Sequence, residues 1–206
     1  MPVLLVFGDS ISAGYGIEVA QGWVSLLARR MVQEGYGFRV VNASVSGETT
    51  AGGLARLPHV LDVQQPAIVL LELGGNDGLR GLPLARTREN LDQMIGLAQA
   101  RGASVLLLGV RLPPNYGDRY TTAFQALFTT LADARRIASI TQLLEGVDLR
   151  PDLMQADHLH PNAQGEPLLV DTVWPRLVPL LRVRGAGGAS HGPGGESHGQ
   201  AGANHG

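Results

Sequence analysis

Apolar residues in this chain fall into short unbroken runs separated by stretches with helical spacing. The runs are Val3–Phe7, Phe38–Val41, Ala67–Leu73 and Val105–Val110, with a weaker one near Ile137–Ile140. They are rich in valine, leucine and isoleucine and do not alternate with polar residues, the pattern of strands covered on both faces. Between them, Gly22–Glu34 carries Trp23, Leu26, Leu27 and Met31 on one face at three- and four-residue spacing. Arg86–Arg101 does the same with Leu91, Ile95, Leu97 and Ala98, and Thr122–Arg135 with Phe124, Leu127, Phe128 and Leu131. A last helix is predicted from Asn162, a residue suited to an N-cap, with Pro167 near its start. Pro175 predicts a kink or a break within it. These stripes are read as core packing.

Strand and helix alternate with short links, which predicts a parallel sheet with helices on both faces. Five strands in about 180 residues suit an α/β flavodoxin-like three-layer sandwich with strand order 2-1-3-4-5. Residues 185–206, GAGGASHGPGGESHGQAGANHG, contain no large apolar side chain and are expected to be a disordered tail after a domain spanning 1–184. His191, His198 and His205 recur there every seven residues, but glycine-rich surroundings leave them poorly organised as metal ligands.

Composition narrows the chemistry. At 206 residues, 44% hydrophobic and 17% charged, the chain has the make-up of one globular domain. A formal charge of −2 provides no basic field for nucleic acid or an anionic membrane. No apolar run reaches the length of a bilayer span, so no stable membrane insertion is expected. The absence of cysteine excludes disulfides, thiolate metal sites and a cysteine nucleophile.

In an open parallel sheet, ligands bind beyond the carboxyl ends of the strands. The segments expected there are Gly8-Asp9-Ser10, then NASVSGETT with Gly47, GGNDG with Asn76 and Asp77, RLPPNYGDRY, and DHLHPN with Asp157, His158 and His160. The first is not a phosphate loop, since Gly8–Ile17 lacks lysine and arginine, and it does not fit G-x-G-x-x-G. Asp9 with Asp77 or Asp157 would be the seed of a metal site, but no metal-binding motif accompanies them, and neither metal nor cofactor is expected.

A serine hydroxyl becomes a nucleophile when a histidine, oriented by an acid, takes its proton. Ser10 is the candidate nucleophile. His160 is the candidate base, because Asp157 lies three residues earlier on the same turn and Pro161 holds it away from helix. His158 is the rival, but one residue from Asp157 it should point elsewhere. Backbone N–H groups of Ser10 and Gly47 and the Asn76 amide are candidate donors to an oxyanion. Leu79, Leu82, Leu112, Pro113, Pro114 and Tyr116 are apolar residues on rim loops, which suggests a groove for an acyl chain.

Taken together, GDS with Ser10, SGETT with Gly47, GGND with Asn76, and DHLHP with Asp157 and His160 resemble the ordered blocks of the SGNH (GDSL) hydrolases. VNASVSGETTAGGLARLP, LLELGGNDGLRGL and RLPPNYGDRY resemble in particular its bacterial thioesterase, lysophospholipase and arylesterase branch, over roughly residues 3–182. The resemblance implies a flavodoxin-like fold with little or no cap and metal-free cleavage of acyl esters and thioesters. It implies Ser10 as nucleophile, His160 as base, Asp157 as its orienter, and Ser10, Gly47 and Asn76 as the oxyanion hole. The fourth rim loop would be a mobile substrate-binding segment. A small-molecule ester or thioester is then the partner, the chain is expected to be a monomer, and its location periplasmic after loss of a leader, with the cytoplasm as the alternative. The rival readings are a carbohydrate deacetylase on the same scaffold and a non-catalytic binding protein. The first would present aromatic platforms at the rim, whereas Trp23 and Trp174 read as core-facing. The second would have lost Ser10, Asp157 or His160.

Overall fold

The computed structural model describes residues 1–186. Its single sheet is parallel throughout, in the order β2-β1-β3-β4-β5. The strands are β1 (Val3–Gly8), β2 (Arg39–Asn42), β3 (Ile68–Glu72), β4 (Ser104–Leu108) and β5 (Ala138–Ile140). The register pairs Leu5 with Val41 and Val69, and Leu70 with Leu106. The order expected from the alternation is the one observed. Burial on both faces holds for the inner strands β1, β3 and β4 and fails at the edges. In β2, Arg39 and Asn42 are exposed, and in β5 only Ile140 is buried, because an edge strand has a neighbour on one side only.

Two helical layers cover the sheet. α2 (Trp23–Gln33) packs on α7 (Glu166–Ala186), while α3 (Thr50–Gln64), α5 (Leu84–Ala100) and α6 (Asp118–Arg135) pack side by side. Trp23, Phe7, Phe124 and Phe128 are among the largest side chains fully removed from water. α3 escapes a periodicity reading because Gly52, Gly53 and Pro58 interrupt its stripe, yet Gly53 is needed: a Cβ there would come within 2.5 Å of Leu73. Two further helices are too short to show a period, α1 (Ser10–Ala13) and α4 (Gly75–Leu79). The polar segments after β1 and β3 are therefore helical turns rather than open loops.

α7 bears on two expectations. It begins at Glu166 rather than Asn162, because the Asn162 side chain caps a preceding turn through the N–H groups of Gln164 and Gly165. Pro175 does not break it. Pro175 and Pro179 face solvent, where the carbonyls they leave unpaired can meet water, while Leu169, Val173, Leu177 and Leu181 recur every four residues on the buried face. Trp174 sits beside that face, not on it, edge-on to Tyr36 and under Arg30. α7 continues through Gly185 and Ala186, and the remainder of the expected tail with its three histidines lies outside the described residues.

Candidate active site

The site begins where β1 meets β3. Gly8 passes so close to Glu72 that a Cβ would sit 2.5 Å from Glu72 Oε2. The chain then turns into α1, with Asp9 as its N-cap accepting from the Ile11 N–H at 3.1 Å. This places Ser10 first in the helix, where its N–H has no intrahelical acceptor.

His160 comes from the loop before α7. There Met154 and Pro161 form an antiparallel bridge, the Gln155 N–H donates to His160 O at 2.8 Å, and the Asn162 N–H donates to Leu153 O at 2.8 Å. Inside this narrow loop, Asp157 Oδ1 accepts from the N–H groups of Leu159 and His160 at 2.9 and 3.0 Å. Asp157 Oδ2 is 2.7 Å from His160 Nδ1, and His160 Nε2 is 2.7 Å from Ser10 Oγ. Three predicted residues, two from this loop and one from the turn after β1, thus form one continuous hydrogen-bonded chain. His158 is exposed, with φ 55° at the loop tip, and no side-chain hydrogen bond of its own is found among the described residues.

Electrostatics fit that chain. Partial burial pushes the Asp157 carboxyl up, but hydrogen bonds from the His160 ring and from the backbone N–H groups of Leu159 and His160 outweigh it and bring the pKa down to about 2. An anionic Asp157 can only accept, which favours the tautomer in which Nδ1–H donates to it and Nε2 faces Ser10 as the acceptor.

Asn76 lies at the start of α4. Its Nδ2 donates to Asp9 Oδ2 and to Glu48 O, each at 3.1 Å, which fixes the plane of the amide beside Ser10. Asp77 does not face the cleft. Its carboxylate accepts the Thr50 N–H at 2.8 Å and the Thr50 hydroxyl, so it caps the N-terminus of α3. Neighbouring Asp9 and Glu72 are buried, and burial raises both pKa values; the negative charge of Asp9 raises Glu72 further. Glu72 Oε2 accepts from the Ser12 hydroxyl at 2.7 Å and the Asp9 N–H at 3.2 Å, a further support of the nucleophile turn that sequence spacing did not reveal.

A cleft of about 160 Å³ opens on Ser10 and His160. Its walls include Asn76, Leu79, Leu112 and Pro113, as predicted, and also Ile11, Val110, Leu144 and Leu159. The predicted Tyr116 is not among these lining residues; its hydroxyl donates to Leu79 O at 2.7 Å and so pins one rim loop to the next. Leu82 and Pro114 also lie off the cleft. Gly47 is not among the lining residues either; it has φ 79°, and its carbonyl accepts from Arg80. A larger groove of about 730 Å³ runs beside β5 between α6 and α7, but it holds neither Ser10 nor His160. The chemistry belongs to the smaller space.

A sheet of this order with a Ser-His-Asp chain at its carboxyl rim defines a hydrolase-like α/β protein. The GDSL-like lipase/acylhydrolase family matches residues 6–167, and the chain belongs to that family. It is similar to esterase TesA of Pseudomonas aeruginosa, with 53% identity over 178 residues, 86% of this chain and 89% of that protein. It is 43% identical to thioesterase 1/protease 1/lysophospholipase L1 of Escherichia coli K12, over 86% of this chain and 84% of the other. Among solved structures it resembles psychrotrophic esterase EstA from Pseudoalteromonas sp., inhibited by monoethylphosphonate. There the TM-score is 0.84 and the identity 37%, covering 88% of this chain and all of that one.

Proposed function

We propose that this protein is a serine esterase and thioesterase that hydrolyses acyl esters and thioesters through an acyl-enzyme on Ser10. The observation that carries the reading is the 2.7 Å approach of Ser10 Oγ to His160 Nε2, with Asp157 at 2.7 Å from the other ring nitrogen. Ser10 Oγ attacks the acyl carbonyl as His160 Nε2 takes its proton. The Ser10 N–H and Asn76 Nδ2 receive the negative charge on the carbonyl oxygen, Asn76 by sharing a proton now given to Asp9 or Glu48; for the Gly47 N–H as third donor the support is the family resemblance of its SGETT segment, since Gly47 does not line the cleft. The intermediate collapses, and the alcohol or thiol leaves with the proton from His160. Water, activated by the same imidazole, then attacks the acyl-enzyme and frees the acid.

Leu79, Leu112 and Pro113 supply the apolar wall that receives the acyl chain. Its small volume favours short to medium chains. The names of the relatives, which include an arylesterase of Vibrio mimicus, support aryl esters, thioesters and lysophospholipids as the substrate panel. Trp23 is fully buried and Trp174 packs against Tyr36, so neither tryptophan offers a sugar platform at the cleft, which disfavours a carbohydrate deacetylase. A monomeric state and a periplasmic location complete the proposal, testable by sedimentation and by cell fractionation. Among the described residues no helix is long and apolar enough to cross a membrane. The deciding experiment is turnover of aryl-ester, acyl-thioester and lysophospholipid substrates by wild type and Ser10→Ala. Loss of all hydrolysis in a folded Ser10→Ala supports the assignment, and retained activity overturns it.

A further inference from the structure

Ser10 and His160 are 150 residues apart, so something must hold their two segments in register. One side chain spans them. The Gln155 amide nitrogen donates to Tyr15 O, just beyond α1, at 2.7 Å. It also donates to Pro161 O, next to His160, at 2.9 Å. The Gln155 backbone N–H donates to His160 O at the base of the same loop. The Tyr15 ring lies against the His160 imidazole, with centroids 4.8 Å apart. Gly16 makes the approach possible: with φ 77°, it passes so near that a Cβ would overlap the Gln155 amide.

We infer that Gln155 is a positioning residue, a clamp that fixes the His160 loop against the nucleophile turn and so keeps the imidazole at proton-transfer distance from Ser10. The inference rests on the roles given to Ser10 and His160 above. Both amide protons are committed to backbone carbonyls of the two segments, so the link has a direction and a length that an apolar side chain cannot reproduce. Loss of the clamp frees the loop to drift, and a displacement of about 1 Å at a reacting group can cost about 10²-fold in rate. The substrate walls Leu79, Leu112 and Pro113 lie elsewhere and are untouched.

The test compares wild type, Gln155→Leu, Gln155→Glu and Ser10→Ala on a short aryl ester, with active sites titrated by fluorophosphonate. Gln155→Glu is nearly isosteric but, ionised, turns a carboxylate toward two carbonyls. Both Gln155 variants are expected to lose about 10²-fold in kcat per titrated site with KM within about twofold. Rates of fluorophosphonate labelling should fall in parallel. A merely structural role would lower the melting temperature and the folded fraction but leave kcat per site near wild type, and that result overturns the inference. Should Gln155→Leu melt below the assay temperature, Gln155→Glu decides by the same criterion. Activity retained by Ser10→Ala would instead bring down the underlying reading of the site, a separate failure.

Discussion

Replacing Asp157 by asparagine changes one atom in the site and tests its proton logic. Asp157 Oδ1 accepts two backbone N–H groups, a job the asparagine carbonyl oxygen can keep, so the loop should hold its shape. The atom replaced by NH₂ is then the one 2.7 Å from His160 Nδ1. Facing a donor, Nδ1 must accept, and its proton moves to Nε2, the nitrogen that faces Ser10 Oγ. An imidazole already protonated there cannot take the serine proton. A change of this kind costs on the order of 10⁴-fold in kcat, about 5.5 kcal/mol of transition-state stabilisation. Steady-state hydrolysis of a p-nitrophenyl ester at neutral pH measures it, with circular dichroism confirming the fold and KM expected within a few-fold of wild type. A folded Asp157→Asn variant with kcat within tenfold of wild type would refute the reasoning, because Asp157 would then not be setting the tautomer.

Removing one oxyanion donor by Asn76→Ala should lower kcat by about 10²–10³-fold with little change in KM, measured on the same ester. An unchanged kcat removes Asn76 from the hole. Leu112 is buried on the cleft wall, seated where Gly78 leaves room for it. Leu112→Ala should shift the kcat/KM ratio of octanoyl over butyryl aryl esters about tenfold toward the longer chain; an unchanged ratio takes the acyl chain away from this wall. Glu166 is buried and receives the Trp23 N–H at 2.6 Å, and burial outweighs that bond to raise its pKa from 4.5 to about 7. Between those values the folded chain holds a proton that the unfolded chain has released, so stability falls as pH rises across this window and levels off above it. Glu166→Gln cannot ionise, so its stability relative to wild type should grow by up to about 3 kcal/mol from pH 4.5 to above 7. Urea melts at pH 5 and pH 8 that give the same difference would contradict this.

Strand order and the inner strands were legible because burial on both faces writes itself as unbroken apolar runs. Three helices were legible because long amphipathic stripes average out local exceptions. α3 was not, since Gly52, Gly53 and Pro58 serve close packing and capping rather than a stripe. α1 and α4 were not, since four or five residues contain no period. The Asp157–His160 pair was readable because its partners share one turn, and Ser10 because a strand end and a small polar turn mark it. Glu72, Gln155 and Leu144 were not, because their parts depend on packing between segments far apart in the chain. Tyr116 was readable as an aromatic on a rim loop, but not its 2.7 Å bond to Leu79 O, which ties two rim segments 37 residues apart.

The most direct test asks whether one hydroxyl among all the serines in the chain is activated. The folded protein is incubated with a fluorophosphonate, its intact mass is measured, and the adduct is located by peptide sequencing. A single adduct on Ser10, with labelling slowed by orders of magnitude in His160→Ala, is the predicted result. Folded, unlabelled protein, or an adduct on another serine that forms just as fast without His160, would contradict it.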